Sequence, residues 1–263
     1  MLGKKLTPKI SIITAVFNNK DHIAGCINSV KDQTYKDIEH IVVDSGSTDG
    51  TTEVLDSYSN DPIKIIHDEK KGLFYSLNNG IGEASGGIIG ILHSDDLYAD
   101  KYTVKKIADA FNDPKVDGVY GDLVYVQRDH PDKVIRSWRS GEFKPSKLKF
   151  GWTPPHPTLF LRKEVYQNIG LFDTSFTIAS DYDFMLRLLR SGKFSISYIK
   201  DVLIKMRTGG LSNRSLDCLL KKSHEDFLIL KKHGMRLPIL TLLSKNFSKL
   251  PQFIKSSSRA ILL

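Results

Sequence analysis

The run Ile41-Val42-Val43-Asp44-Ser45-Gly46-Ser47-Thr48-Asp49-Gly50-Thr51 joins an apolar strand to a carboxylate and then to a loop of small residues. Some fifty residues later Ile89-Gly90-Ile91-Leu92-His93-Ser94-Asp95-Asp96 repeats the pattern and ends in two carboxylates. An apolar stretch ending in acids is how a buried parallel strand delivers polar groups to the edge of its sheet. In open α/β sheets that carboxyl edge is where ligands bind. A single carboxylate suits a base or ribose, while an adjacent pair suits a divalent cation holding a diphosphate. Together they point to a sugar-nucleotide site.

Reading outward, Ile10–Val16 is a short apolar strand broken by Asn18-Asn19, and His22–Asp32 carries Ile23, Cys26, Ile27 and Val30 on one helical face. Strands follow at Ile38–Val43, Ile63–His67 and Ile88–Leu92. Helices are expected at about Thr51–Tyr58 and, behind a Gly72 loop, up to Ala84. This alternation predicts an α/β fold with a mostly parallel, right-handed sheet over residues 9–96. The second half is less regular. A helix is expected at Thr103–Phe111, a strand at Val119–Gln127, long loops over Trp138–Pro157 and a brief strand at Leu159–Leu161. Asp181–Ser191 reads as an amphipathic helix with Arg187 and Arg190 facing out, and two short strands, Ile196–Ile199 and Val202–Met206, close the domain.

Composition narrows the function. At 263 residues the chain suits one large domain with an extension, and 40% hydrophobic with 26% charged residues is ordinary for a folded globule. Cys26 and Cys218 have no CxxC neighbours, so a zinc site or disulfide framework is not expected. No secretory h-region and no run of about 18 apolar residues appears, so a cytoplasmic location is expected. From Leu219 onward nine basic residues face only Glu225 and Asp226, which puts +7 of the formal +8 charge in the tail. The rest is near neutral, which argues against nucleic acid as a partner.

Taken in order, Ser11–Asn18, Asp44–Thr51, Ser94-Asp95-Asp96 and Ser180-Asp181-Tyr182 resemble a family-2 inverting glycosyltransferase, over about residues 9–213. Within that family the chain is similar to enzymes assembling bacterial capsule, O-antigen or exopolysaccharide. The resemblance implies a GT-A (Rossmann-like) fold and transfer of a sugar from a UDP- or GDP-linked donor to a growing glycan. It assigns Asp44 to the nucleobase, with Thr14 and Phe17 lining the same pocket. Asp95 and Asp96 then correspond to the family's Mg²⁺ or Mn²⁺ motif, Asp96 as direct metal ligand and Asp95 shared between metal and ribose. His93 stands where a D-x-D motif would start. Gly72 and Asn78 resemble the segment against the donor, and Asn78 suits either a donor contact or a loop anchor.

Asp181 is the expected base, because an inverting transferase must take a proton from the acceptor hydroxyl as that oxygen attacks the anomeric carbon. Asp183 stands in reserve. His156, in Pro154-Pro155-His156-Pro157, resembles the acceptor-side segment, and Arg207 ahead of Gly209-Gly210 resembles a loop closing over the diphosphate. Asp49 is read as a helix cap.

The domains expected are a catalytic unit over residues 1–215 and a basic amphipathic helical extension over 216–263. In that tail Ile239, Leu243, Phe247, Leu250 and Ile254 share one helical side, and Lys245, Lys249, Lys255 and Arg259 the other, with Pro251 as a kink. The pattern suits a helix on an anionic membrane surface, and hence an acceptor carried on polyprenyl diphosphate. Packing of the helix on the domain is the plainer alternative. Two functional rivals share these motifs: a transferase acting on polyprenyl phosphate itself, and a non-catalytic nucleotide-sugar-binding module. A dinucleotide oxidoreductase would need G-x-G-x-x-G after the first strand, where Val16-Phe17-Asn18-Asn19-Lys20 stands instead.

Overall fold

Four strands, β1 (Ile10–Val16), β2 (Ile38–Asp44), β3 (Ile63–His67) and β4 (Ile88–Ile91), run parallel in the order β3-β2-β1-β4. The computed structural model describes residues 8–69, 71–209 and 216–248. Helices α1 (Lys20–Lys31), α2 (Thr51–Asp56) and α3 (Leu73–Glu83) link the strands in turn. Ile13, Ala15, Ile41, Val43, Ile89 and Ile91 pack with Phe74, Leu77 and Ile81 of α3 on one face. Ile10, Ile12 and Ile88 pack with Cys26 and Val30 of α1 on the other. Covering both faces is what demands the continuous apolar runs seen in the sequence.

Past residue 96 the chain builds β5 (Leu97–Tyr98), α4 (Thr103–Ala110), β6 (Gly118–Gln127), β7 (His130–Trp138), β8 (Phe160–Arg162), α5 (Lys163–Ile169), α6 (Ser180–Ser191) and β9 (Ile196–Arg207). The sheet continues β4-β8-β6-β9-β5, with β7 on β6. Both junctions of β8 are antiparallel, so the sheet is mixed: parallel through its first four strands and antiparallel where the second half is grafted on. Gly90 permits the graft. It pairs with Phe160, and a Cβ there would lie 2.0 Å from the Phe160 ring.

Three expectations change. The loops expected from Trp138 onward are preceded by an unforeseen strand, β7. The two short strands at 196–206 are one twelve-residue strand. Arg187 does not face out: it donates to Asp183 (2.8 Å), to the Ile169 carbonyl (2.6 Å) and to the Leu171 carbonyl (2.7 Å).

The tail forms α7 (Leu216–Lys232) and α8 (Pro238–Phe247), and both pack on the preceding part of the molecule. Ile229 and Leu230 are buried with Leu148, Ala179, Tyr182, Leu186 and Leu189. Lys245 is turned inward, against the expected polar face: its Nζ lies 2.8 Å from Asp226 Oδ2 and 3.3 Å from the Tyr182 ring centre. Lys249, Leu250, Pro251, Ile254, Lys255 and Arg259 lie outside the described residues.

Glu225 of α7 is the key contact. Its carboxylate accepts from the backbone N–H groups of Thr177 (3.0 Å), Ile178 (2.9 Å) and Ala179 (2.9 Å) and from the Thr177 hydroxyl (2.8 Å). These residues lead directly into α6, whose first turn has no side-chain cap of its own. A carboxylate receiving several N–H donors is a strong charge-assisted clamp. Glu225→Ala would strand these donors at about 1–3 kcal/mol each. The melting temperature is therefore expected to fall by several degrees, with faster amide exchange at residues 177–179. Unchanged exchange there would show that α7 merely covers α6.

Candidate active site

The site begins where β1, β2 and β4 end side by side, with Val16 in register with Asp44. Three loops at this edge are laced together. Asn18 adopts a positive φ of 49°, and its Oδ1 accepts from Thr48 N (2.8 Å) while its own N–H donates to Ser47 Oγ (2.9 Å). Asn19 Nδ2 donates to Ser94 Oγ (2.9 Å), which ties the β1 loop to the β4 loop. Asp49 takes the Thr51 N–H (3.0 Å) and the Lys20 N–H (3.2 Å), so it caps the start of α2, as expected, and of α1 as well.

Asp44 is buried at this edge. Its Oδ1 accepts from Ser47 N (3.1 Å) and Ser47 Oγ (2.6 Å), its Oδ2 from Thr52 Oγ1 (3.0 Å), and His67 Nδ1 lies 3.6 Å away. The carboxylate thus organises the 45–52 loop. Phe17 is exposed beside it. Thr14 is not pocket lining, contrary to expectation. It is fully buried, with its hydroxyl 3.0 Å from His40 Nε2 and 3.8 Å from Cys26 Sγ, because strand alternation turns it beneath α1.

Asp96 is 1% exposed, with Oδ1 accepting from the Arg207 N–H (3.1 Å) and Oδ2 buried without a hydrogen-bond partner. Burial first, and the neighbouring Asp95 charge second, push its carboxyl well above its ordinary 3.8. Asp95 is more open, 3.7 Å from Arg128 Nη1. An orphaned carboxylate oxygen beside a second, accessible carboxylate fits a hard cation. Mg²⁺ characteristically takes one or two carboxylates and completes its shell with substrate phosphates and water. No group of three or more His, Cys, Asp or Glu side chains that could hold a metal occurs among the described residues.

Arg207 is not a free arm over a diphosphate. Its Nη1 donates to the Asp95 carbonyl (2.6 Å) and its Nε to the Arg128 carbonyl (2.9 Å), so it clamps the acidic turn from behind. Gly209, at φ 90°, follows, and residues 210–215 lie outside the described residues. Gly72, with φ 105°, sits just ahead of α3 in a conformation that suits glycine. Asn78 anchors a loop: its amide spans the Phe172 backbone, donating to O (2.9 Å) and accepting from N (3.0 Å). The Phe172 ring in turn meets His156 edge-on at 5.5 Å.

Across the edge lies a cleft of about 510 Å³ walled by His93, Trp138, Trp152, His156, Asp181 and Lys222, among others. Asp181 sits in the first turn of α6, with Oδ1 accepting from Tyr182 N (2.8 Å). Asp183, by contrast, is spent. It is fully buried against Arg187, Lys232 and His233, whose hydrogen bonds overcome burial and hold it well below the usual carboxylate range. Burial lowers His156 to about 4 and lowers His93 as well, so both imidazoles are neutral at neutral pH. The ring centres are 6.2 Å apart, and His93 feels the charges of both Asp95 and Asp181. It therefore stands between the acidic pair and the candidate base.

The model for Glycosyl transferase family 2 matches residues 11–180. The chain belongs to that family. The transferase is 28% identical over 221 residues to the PGL/p-HBAD biosynthesis glycosyltransferase of Mycobacterium tuberculosis, covering 80% of this chain and 81% of the relative. It is 28% identical over 205 residues to glycosyltransferase AglE of Haloferax volcanii, covering 74% and 66%. In fold it is similar to TarS of S. aureus (TM-score 0.65, 19% identity, 97% of this chain and 76% of that one). It is equally similar to the mannosyltransferase PcManGT of Pyrobaculum calidifontis, solved with GDP-Man and Mn²⁺ (TM-score 0.65, 18% identity, the same coverage). The expected GT-A-type architecture is thus met, with helices on both sides of a mixed sheet.

Sequence reasoning used His93 only as a missing Asp, Asn18 and Asn19 only as the end of the first strand and its motif, and Glu225 only as a charge in the tail. The first has a signal in its position at the end of an acid-terminated strand. The others act through groups distant in sequence that folding brings near.

The buried charge of Asp96 has a measurable cost. A carboxyl whose folded pKa is raised stabilises the fold below its unfolded value of 3.8 and loses that contribution as pH rises. In chelator, Asp96→Asn is therefore expected to raise the melting temperature of the transferase by roughly 2–5 °C at neutral pH. The gain should vanish near pH 4. A variant less stable than the parent at both pH values would show that the carboxylate is compensated.

Proposed function

We propose that the transferase moves a sugar from a UDP- or GDP-linked donor, with inversion at the anomeric carbon, onto a growing surface-polysaccharide glycan. One observation carries this reading: His93 lines the same cleft as Asp181 and feels the charges of both Asp181 and Asp95, the neighbour of the orphaned Asp96 oxygen. The complexes of PcManGT with GDP-Man and of TarS with UDP-GlcNAc support a nucleotide-sugar donor. Asp44 and Phe17 take the nucleobase, with the Ser47 and Thr52 hydroxyls yielding their hold on the Asp44 carboxylate. Asp96 and Asp95 hold Mg²⁺ or Mn²⁺, which when bound neutralises the charge of the leaving diphosphate. Gly72 lets α3 begin close to the donor.

Asp181 accepts the proton of the acceptor hydroxyl while that oxygen bonds to the anomeric carbon and the bond to the diphosphate oxygen breaks. Neutral His156 and His93 border this point as hydrogen-bonding groups, and their walls exclude water that would otherwise hydrolyse the donor.

The acceptor is read as lipid-borne. No helix among the described residues is long and apolar enough to cross a membrane. Yet α8 turns Ile239, Leu240, Leu243 and Phe247 to solvent, with Phe247 65% exposed, and exposed Phe150 lies on the adjoining segment. Exposed Lys144 and Lys149 belong to the same segment, Pro145–Phe150 and its flank. Apolar side chains ringed by lysines match an anionic bilayer surface. Since Lys245 points inward, the contact is made by the apolar face, with cations supplied from the neighbouring segment.

Two experiments test this. Calorimetry with UDP and GDP is expected to show Mn²⁺-dependent binding of one of them, abolished by EDTA and by Asp96→Ala. Asp181→Asn should leave that affinity unchanged and lower kcat by about 10²–10⁴. Activity that survives in Asp181→Asn would remove the base assignment. Separately, Leu240→Glu/Phe247→Glu should release the protein from phosphatidylglycerol vesicles in sedimentation. Equal binding to neutral phosphatidylcholine vesicles would refute the electrostatic part.

A further inference from the structure

The cleft beside Asp181 is cationic beyond the needs of proton transfer. Arg136, Arg139, Lys222 and Lys245 all line it, whereas Asp181 is the single carboxylate on its wall. Behind the wall, buried Asp226 shares one oxygen between Lys222 Nζ (3.1 Å) and Lys245 Nζ (2.8 Å). Arg136 stacks on the Tyr125 ring at 4.1 Å. Even with Asp226 included, two positive charges are in excess, and His156, lowered to about 4 by burial, adds none at neutral pH.

The cleft adjoins the acidic pair through His93 and Tyr125, which feel the charges of Asp95 and Asp96 respectively. None of Asp44, Asp95, Asp96 or Arg128 belongs to the wall of the cleft. A neutral sugar would be held by stacking on Trp138 and Trp152 and by polar acceptors, without partly buried ammonium groups whose desolvation is costly. A positive, half-enclosed cavity instead concentrates anions. Burial works to lower the pKa of Lys222, but the carboxylates of Asp226 and Asp181 outweigh it and keep the ammonium charged.

We propose that the acceptor carries a phosphate or a carboxylate next to the hydroxyl that is glycosylated. Lys222 binds that anion, held in place through Asp226 and Lys245 and faced by Arg139 from the end of β7. The inference rests on reading the cleft as the acceptor side of the transferase. It adds what kind of acceptor fits there. Asp181 then meets a hydroxyl whose position is set by an ionic contact on the same molecule.

The chain's two tryptophans, Trp138 and Trp152, both line this cleft, so intrinsic fluorescence reports on it directly. Three probes are titrated with Mn²⁺ and saturating UDP or GDP present: farnesyl diphosphate, methyl glucuronide and neutral methyl glucoside. One of the two anions is expected to change the emission saturably, more weakly as NaCl rises, with methyl glucoside inert. Farnesyl diphosphate responding alone identifies a lipid diphosphate as the source of the charge, and methyl glucuronide responding alone an acidic sugar.

Lys222→Met should weaken the anion by at least about tenfold, Lys222→Arg should retain most of the affinity, and nucleotide affinity by calorimetry should change in neither. The proposal is overturned if no anion binds while nucleotide does. It is also overturned if Lys222→Met weakens nucleotide binding and nucleotide displaces the anion, because the cations then serve the donor diphosphate. An anion that binds where neither nucleotide does supports the anion site and overturns the donor reading instead.

Discussion

Beside the pairing of β4 with β8, the two halves of this molecule are joined by a hydrogen bond to a buried carboxyl group. The end of β4 delivers Asp96 into the interior, and the backbone N–H of Arg207, at the end of β9, meets it at 3.1 Å. The Arg207 guanidinium then closes the turn by binding the carbonyls of Asp95 and Arg128. A buried carboxylate with one oxygen satisfied and one not is costly in isolation. Under the proposed function the same residue helps hold the cation and the diphosphate, which would offset that cost. The strand bearing Arg207 cannot shift without disturbing the acidic pair.

Around this joint the work is divided by electrostatics. The edge formed by β1, β2 and β4 is acidic, with Asp44, Asp95 and Asp96 within loops tied to each other by Asn18, Asn19 and Asp49. The cleft formed by β7, α6, α7 and α8 is basic. His93 and His156, kept neutral by burial, separate the two. Neutral imidazoles at that boundary add no charge to either side, and Asp181 is the single carboxylate on the wall of the cleft.

The parallel half was readable because its signals are local. Apolar runs ending in carboxylates mark β2 and β4, and periodicity marks α1 and α3, with boundaries displaced by only a residue or two. Asp95, Asp96 and Asp181 could be singled out because each sits at the end of an element. Thr14 was misread because its partners, His40 and Cys26, are brought beneath it by pairing with β2 and packing of α1. Arg207 looked like a mobile arm because its acceptors are main-chain carbonyls some eighty and more residues earlier. The same holds for Lys245: amphipathic spacing identified two faces of α8, but which one turns inward depends on Asp226 and Tyr182. β7 went unseen because none of its residues is fully buried and even Val134 and Ile135 are exposed, so no alternation marks it and its pairing with β6 supplies most of its definition.

Glu225 has a consequence for how such a protein comes into being. The acidic loops are made by residue 96, yet Arg207, which holds their last turn, and Glu225, which cradles the start of α6, come much later. A nascent chain therefore carries the acidic loops long before it carries the residues that clamp Asp96 or wall the basic cleft. Among the described residues α7 and α8 pack chiefly on α6, on residues 145–150 and on each other, so changes in the tail would reshape the basic cleft more than the acidic loops.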